Sequence, residues 1–363
     1  MQIIFPEKNS ALIKPGLRFR VLKLNSWYAM PFKQLPVLYN AQGNLRTIGF
    51  ELEYANLSIE ESVQVVQQLF GGTVQKENRF KQQVLNSSLG DFTIEFDLTL
   101  LSEKRYRKFF DAFHIHPEEI KVGNTTLEAE VEIALEGIIG KVFPNEIACP
   151  PVAFTQLEAL EKLREALYLH HAQGTESFLT NAFGTHINVE VPDLEAATLL
   201  RYLRAFILLY PWLLEVGKTD LARKVSPFID PFPPAFVQLV LARWYNPDLE
   251  TFIKDYHAHN PDRNRPLDLY PIFAALKTDI LQEFSGLGKV KPRYTFHYRL
   301  PNSSVSEPGW TLAQEWNNWV TIEELAQDPA RLAKWSDEYL VLRDNTGLGF
   351  ESKWVSKINA WLS

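Results

Sequence analysis

The stretch TIGFELEY (47–54) decides how this chain is read. Strand side chains alternate faces with period two, so Ile48, Phe50, Leu52 and Tyr54 fall on one side, and Gly49, Glu51 and Glu53 on the other. The same design recurs three times. In DFTIEFDL, Phe92, Ile94, Phe96 and Leu98 oppose Thr93, Glu95 and Asp97. In THINVEV, Ile187, Val189 and Val191 oppose His186, Asn188 and Glu190. In RYTFHYRL, Tyr294, Phe296, Tyr298 and Leu300 oppose Arg293, Thr295, His297 and Arg299. Each strand has an apolar face and a face of ionisable or amide groups.

A polar sheet face that simply meets water is common in antiparallel sheets. Here the charges are segregated by strand: acidic, acidic, His/Asn and basic. The like-charged pairs at i and i+2 stand about 6.6 Å apart, from a rise of ~3.3 Å per residue. At an effective dielectric near 20 each pair repels by roughly 2.5 kcal/mol. Taking the carboxylates out of water costs several kcal/mol more per ion, in order of magnitude. Divalent cations offset both terms, and oxygen ligands with one imidazole suit Mg²⁺ or Mn²⁺. Arginines on a fourth strand suit phosphate oxygens. The pattern points to a metal-bridged nucleotide.

Outward from these strands, the predicted class is α+β: a mostly antiparallel sheet with helices on its apolar face and an active-site cleft on the other. Residues 1–46 read as an irregular arm laid over the body, 47–302 as the catalytic domain, and 303–363 as a Trp-rich helical extension. The spacing of Val63, Val66, Leu69 and Phe70 predicts a helix over 59–70, stopped by Gly71-Gly72. KVFPNEIACPPVAF (141–154) reads as a short extended segment, and SEKRYRKFFDAF (102–113) as a basic helix. Thr155 is expected to cap a helix carrying Leu157, Leu160, Leu163 and Leu167, with Glu158 completing a capping box. Asp193 is expected to cap a helix to about Trp212. Further helices are predicted over 234–244, 248–257, 268–284 and from Thr311 onward. Six of nine tryptophans lie in the last part, a pattern read as core packing.

Composition narrows the function. The 363 residues are 46% hydrophobic and carry 37 Lys+Arg against 44 Asp+Glu, a formal net charge of −7, which argues against nucleic acid as a partner. One cysteine, Cys149, excludes an internal disulfide and a cysteine metal cluster. It precedes Pro150-Pro151 and reads as a small buried residue, not a nucleophile. The start has no apolar signal core, and the most apolar run, AFILLYPWLL (205–214), is short of the ~20 residues of a membrane span. A cytoplasmic protein with no membrane partner is expected. GxxxxGK[ST], GxGxxG, GxSxG and HExxH do not occur. His114, His116, His170, His171, His257 and His259 read as surface residues. Arg263 and Arg265 stand in DRNRPLDLYP as candidates for phosphate or carboxylate contact.

Several motifs in order carry a resemblance. They are Gly49-Phe50-Glu51-Leu52-Glu53, the helix end Leu69-Phe70-Gly71-Gly72, and Asp97-Leu98-Thr99-Leu100. Then come Pro144-Asn145-Glu146-Ile147-Ala148-Cys149-Pro150-Pro151, Gly184-Thr185-His186-Ile187-Asn188-Val189, and the Arg293 to Arg299 strand. From about Arg46 to Leu325 the chain resembles the amidoligases, a branch of the glutamine-synthetase-like carboxylate–amine ligases. The resemblance implies a glutamine-synthetase-like sheet and ATP-dependent amide or peptide bond formation through an acyl phosphate. It implies Glu51, Glu53, Glu146 and His186 as holders of Mg²⁺ (or Mn²⁺). Glu95 or Asp97 would complete a site or orient the amine, and Arg293 and Arg299 would hold phosphates. Substrates would be small-molecule or peptide carboxylates and amines, with a separate amidotransferase-type partner as one source of ammonia. The chain departs from the pattern at three places: Asn188 stands where many members have a second His, His297 where they have Glu, and Cys149 where they have a hydroxyl residue.

Two other readings use the same residues. A metal-dependent hydrolase or phosphotransferase would act without nucleotide. A ligase-like scaffold would bind nucleotide or peptide without turnover, and the departures at Asn188 and His297 motivate it.

Overall fold

The computed structural model describes residues 30–78, 80–96, 145–172, 183–218, 229–288, 290–346 and 349–363. The nine strands among them form one sheet: β1 (Thr47–Tyr54), β2 (Thr73–Asn78), β3 (Lys81–Leu85), β4 (Phe92–Phe96), β5 (Asn145–Ala148), β6 (Val152–Ala153), β7 (Thr185–Glu190), β8 (Leu267–Asp268) and β9 (Thr295–Tyr298). The order is β2-β3-β4-β5-β1-β7-β9-β8, with β6 also on β1, and every pairing is antiparallel. The helices are α1 (Ile59–Phe70), α2 (Leu157–Leu169), α3 (Ala196–Val216), α4 (Pro234–Leu241), α5 (Leu249–His259), α6 (Tyr270–Leu276), α7 (Thr278–Gln282), α8 (Leu312–Ala326), α9 (Pro329–Asn345) and α10 (Phe350–Leu362). The class is α+β, as the alternation predicts.

The alternation of TIGFELEY becomes burial. Ile48, Phe50, Leu52 and Tyr54 are fully buried, while Glu51 and Glu53 are half-buried on the opposite face. Ser58 caps α1 with a complete capping box to Glu61, and the Tyr54 hydroxyl donates to Ser62 Oγ at 2.6 Å, tying β1 to the helix. Gly72 turns the chain from α1 into β2 with φ +98°, and a Cβ there would stand 2.7 Å from the Leu85 carbonyl oxygen, so only glycine fits. Pro150-Pro151 have no N–H to give β1, and they separate β5 from β6 along one edge of that strand. Cys149 N still donates to Phe50 O at 2.8 Å.

The apolar face is covered by aromatic packing. Tyr202 of α3 stacks on Phe296 of β9 with centroids 4.8 Å apart, and Trp319 of α8 lies 5.5 Å from both Phe296 and Tyr298. Trp310, Trp316, Trp319, Trp335 and Trp354 are all buried, which is the packing role expected of that cluster. Where the N-terminal stretch enters the described residues it lies on α8: Trp316 Nε1 donates to Lys33 O at 2.7 Å, and Asn317 Nδ2 donates to Pro31 O at 3.0 Å.

Four local expectations are corrected. Thr155 does not cap α2, because Phe154–Gln156 form a 3₁₀ turn first and α2 begins at Leu157. Asp193 does not occupy the cap of α3; it braces the entry by accepting from Glu195 N and Thr198 Oγ1, and the helix starts at Ala196. That helix also runs past Pro211 to Val216. Its 21 residues are long and apolar enough to cross a membrane by length and composition, but 67% of an apolar 18-residue window within it is buried inside the fold. The predicted helix over 268–284 is a two-residue strand, β8, followed by two short helices broken at Lys277.

Candidate active site

Register places the polar side chains in three rows across the sheet. The first row runs Lys81, Glu95, Glu146, Glu53 over β3, β4, β5 and β1. The second runs Ala148, Glu51, His186 over β5, β1 and β7. The third runs Gly49, Asn188, His297, Asp268 over β1, β7, β9 and β8. Three of the four strands read from the sequence as acidic, His/Asn and basic are contiguous. β5 is inserted beside β1 and brings Glu146 into the acidic row.

Glu51 is the hub. Its Oε2 stands 2.9 Å from His186 Nδ1 and 3.5 Å from His297 Nε2. Its Oε1 accepts from Asn188 Nδ2 at 3.0 Å and Arg293 Nη1 at 3.1 Å. Burial alone would raise this carboxyl, but the contacts from His186 and His297 outweigh it and hold Glu51 well below the usual carboxylate range. Burial pushes the His186 imidazole down to about 3, against the upward pull of Glu51. At neutral pH the pair is therefore an ionised carboxylate and a neutral imidazole, and the imidazole proton belongs on Nδ1, where Glu51 accepts it.

That assignment leaves a lone pair on His186 Nε2. It faces Glu53 Oε1 at 3.5 Å, while Glu53 Oε2 accepts from Gly184 N at 2.6 Å. Donor atoms of Glu53, Glu146 and His186 all lie within 4.8 Å of one another, and so do those of Glu51, His186 and His297. Two carboxylates and an imidazole lone pair converging on one point attract a cation. Glu51 stands at His186 Nδ1, the position from which a carboxylate orients the histidine in metal sites generally. Of the four residues expected to hold metal, all meet here. Glu53, Glu146 and His186 converge directly, and Glu51 stands on the far side of the imidazole.

Glu95 lies beside Glu146 in the first row, with Lys81 Nζ 3.7 Å from its Oε2 and about a third of its side chain exposed. Asp97 lies outside the described residues. Arg293 reaches Glu51 and is 40% exposed. Arg299 donates to Arg263 O at 2.7 Å, close enough for its charge to act on His186 and Asp268. Arg263 pairs with buried Asp268 at 3.0 Å. Arg265 is turned to Asn260 Oδ1 at 2.7 Å and toward Asp230. Arg293, Arg299 and Arg263 thus border the polar face, and Arg265 braces a loop.

The histidines read as surface residues are more enclosed where described. His257 stacks on Phe284 at 3.8 Å and meets the Tyr270 hydroxyl at 2.7 Å, and His259 Nδ1 meets Asp255 O at 2.8 Å. His170 is half-buried as well, and only His171 is exposed. His114 and His116 lie outside the described residues. Burial, with Glu51 and Glu146 nearby, pushes the Cys149 thiol up, so it stays protonated and is no nucleophile. One participant escaped the sequence reading: Asp268 enters from a strand too short to show a period. His297, placed on the polar face by the alternation of RYTFHYRL and expected to remove a possible metal ligand, stands 3.5 Å from Glu51 Oε2.

A family model described as "putative amidoligase enzyme" matches residues 44–321. The chain belongs to the amidoligase family. No curated protein is similar to it at a significant level. The amidoligase match opens just before β1 and ends within α8, so it contains all three polar rows and the bordering arginines.

Proposed function

We propose that this amidoligase-family chain is an ATP- and Mg²⁺-dependent carboxylate–amine ligase acting through an acyl phosphate on a glutamine-synthetase-like sheet. The observation that carries the reading is the convergence of Glu53, Glu146 and the Nε2 lone pair of His186 from three adjacent strands. This donor set fits a hard divalent cation: two carboxylates, one imidazole, and room in the coordination sphere for phosphate oxygens and water. Bound there, Mg²⁺ would neutralise the carboxylates and screen the negative charge of a triphosphate.

The chain's own groups then have distinct tasks. Glu51 orients His186. Arg293 and Arg299, on the basic side of the face, bind phosphate oxygens in the fork geometry of guanidinium. The substrate carboxylate forms a bond to the γ-phosphorus as ADP leaves. The amine then bonds to the carbonyl carbon as phosphate leaves. Glu95, next to Glu146 and partly exposed, is placed to accept an N–H of the incoming amine. Positioning and charge neutralisation supply the rate, so no protein nucleophile is required, in keeping with a protonated Cys149. The amine arrives from solution or from an amidotransferase-type partner.

The test is ADP release from Mg-ATP with a panel of amino acids and peptides, comparing wild type with Glu53→Gln and Arg293→Ala. Losses of about 100-fold or more are expected, the scale of removing one preorganised charge contact. Equal turnover in all three overturns the reading. Substrate cleavage without nucleotide would favour a hydrolase, and tight Mg-ATP binding with no ADP formed would favour a scaffold.

A further inference from the structure

We propose that a cavity in the helical layer, walled by α3 and α4 on one side and by α9 and α10 on the other, binds a free α-amino acid with a large apolar side chain. Arg343 takes the ligand's carboxylate, Glu351 its ammonium group, and the apolar floor its side chain. The site lies apart from the polar rows, so it goes beyond the ligase reading and stands without it.

The cavity has a volume of about 260 Å³. An apolar cavity of ~150 Å³ takes benzene, and pockets for drug-sized ligands begin near ~300 Å³. The space therefore suits a benzyl- or isobutyl-sized group with a short polar head. Ile207, Pro211 and Leu214 of α3, Phe232, and Val237 of α4 make the floor. α3 is seated on the apolar side of the sheet, where the Phe206 and Tyr298 ring centroids are 6.0 Å apart, whereas Glu51 and Glu53 stand on the opposite face.

The polar groups around this floor lack partners. Tyr339 is 8% exposed, and its ring packs edge-on against Phe350 and Trp354 at 4.9 and 5.1 Å. Its hydroxyl makes no hydrogen bond among the described residues, and neither does that of Tyr210 on α3. A buried hydroxyl left unmade is costly, and a ligand carboxylate removes that cost. Arg343 follows Tyr339 by one helical turn, and Glu351 lies in the first turn of α10. Both charges act on the Tyr339 phenol, which burial pushes up, so they flank one spot. Burial likewise pushes Tyr210 up to about 12, with Glu351 and Asp230 adding to it. Asp230 is answered by Arg265 at 3.7 Å. Arg343 is a quarter exposed, and its carboxylate neighbour is Asp344 at 3.9 Å, itself largely exposed. Glu351 forms no ion pair among the described residues. One loosely held cation and one anion beside a phenol, over an apolar floor, match the two charges of an amino-acid zwitterion. A simple amine or a simple carboxylic acid leaves one of them unmatched. Tyr339, Arg343 and Glu351 all lie beyond the end of the amidoligase match, so the C-terminal extension supplies the polar half of the site.

The experiment is calorimetric titration of the full chain with L-phenylalanine, 3-phenylpropionate and phenethylamine. The second compound lacks the ammonium group and the third the carboxylate. L-Phenylalanine should bind one equivalent, and each analogue should bind about 10-fold or more weaker, the scale of one hydrogen bond to a charged group. Arg343→Gln should weaken L-phenylalanine and 3-phenylpropionate by about 10-fold or more and leave phenethylamine within about 2-fold. Glu351→Gln should weaken L-phenylalanine and phenethylamine instead and spare 3-phenylpropionate. Both positions are partly exposed, so the variants should melt as wild type does without ligand. Glu53→Gln, on the polar face, should leave the affinity for L-phenylalanine unchanged. Either analogue binding as tightly as L-phenylalanine, or no saturable binding below about 10 mM, would overturn the proposal. So would loss of L-phenylalanine binding in Glu53→Gln but not in Glu351→Gln, which would move the amino acid to the polar face.

Discussion

Two carboxylate sites in this molecule, one fully buried and one half-buried, are solved in opposite ways. On the apolar side, Glu323 of α8 is fully buried and meets Arg46 in a two-pronged pair at 2.7 and 2.9 Å. Trp319 Nε1 at 2.9 Å and the Tyr202 hydroxyl at 3.2 Å complete four donors to two oxygens. The fold supplies every counter-group from its own chain. On the polar side, Glu53 and Glu146 meet His186 Nε2, and Glu51 accepts from Arg293. The first arrangement joins the entry to β1 with α8 and fixes structure. The second brings two carboxylates and an imidazole nitrogen together from three adjacent strands, which under the ligase reading is an affinity for cations.

The comparison breaks most visibly if its structural half fails. Glu323→Gln or Arg46→Met leaves one buried charge unpaired and should lower unfolding free energy by about 3–5 kcal/mol. Denaturant melts at fixed pH measure this. A change under about 1 kcal/mol would mean the pair is not the closed site it resembles.

The functional half predicts a different response. In chelator, Glu146→Gln should change stability less than Glu323→Gln does, because Glu146 is half-buried whereas Glu323 is fully buried. With Mg²⁺ at 100 times its dissociation constant, wild type should gain about 2.7 kcal/mol, and Glu146→Gln little. Thermal melts with and without Mg²⁺ separate the two halves in one experiment.

A third prediction concerns acid. His186 has a folded pKa near 3 and an unfolded value near 6.5, so the unfolded chain binds the extra proton between those limits. Stability of the metal-free protein is then fully present above about pH 6.5. It falls with pH through that window by about 1.4 kcal/mol per unit for this one group. His186→Gln should flatten the slope by that amount in denaturant titrations between pH 4 and 6.

How much of this was readable beforehand differs between the two sites for a physical reason. The polar rows come from period-two alternation, which one strand displays by itself, so Glu51, Glu53, Glu95, His186 and Arg293 could be grouped from TIGFELEY and its three counterparts. Glu146 needed the family resemblance, since four residues of strand before Pro150 show too little alternation. Asp268 and its two-residue strand were absorbed into a helical pattern, because Tyr270 to Leu276 really is helical. The Arg46–Glu323 pair was invisible: its partners are 277 residues apart, and nothing local in either segment announces the other. Arg265 was legible as a cation but not as a brace, since only packing shows that it turns to Asn260. Local period is written in the sequence, whereas pairing across the core is written in the packing.

The smallest expected effect sharpens the contrast by adding a third carboxylate environment. Glu95 belongs to the same row as Glu146 and Glu53, but about a third of its side chain is exposed and Lys81 Nζ stands 3.7 Å away. Water screens this pair, so Lys81→Ala should change unfolding free energy by about 0–1 kcal/mol and leave the Mg²⁺-dependent rise in melting temperature intact. If Glu95 contacts the amine, Glu95→Gln should raise KM for the amine while that metal response persists. A fall in Mg²⁺ affinity in Glu95→Gln would instead move Glu95 into the cation site. The contrast would then lie between carboxylates paired within the chain and carboxylates shared with a ligand, with exposure no longer the dividing variable.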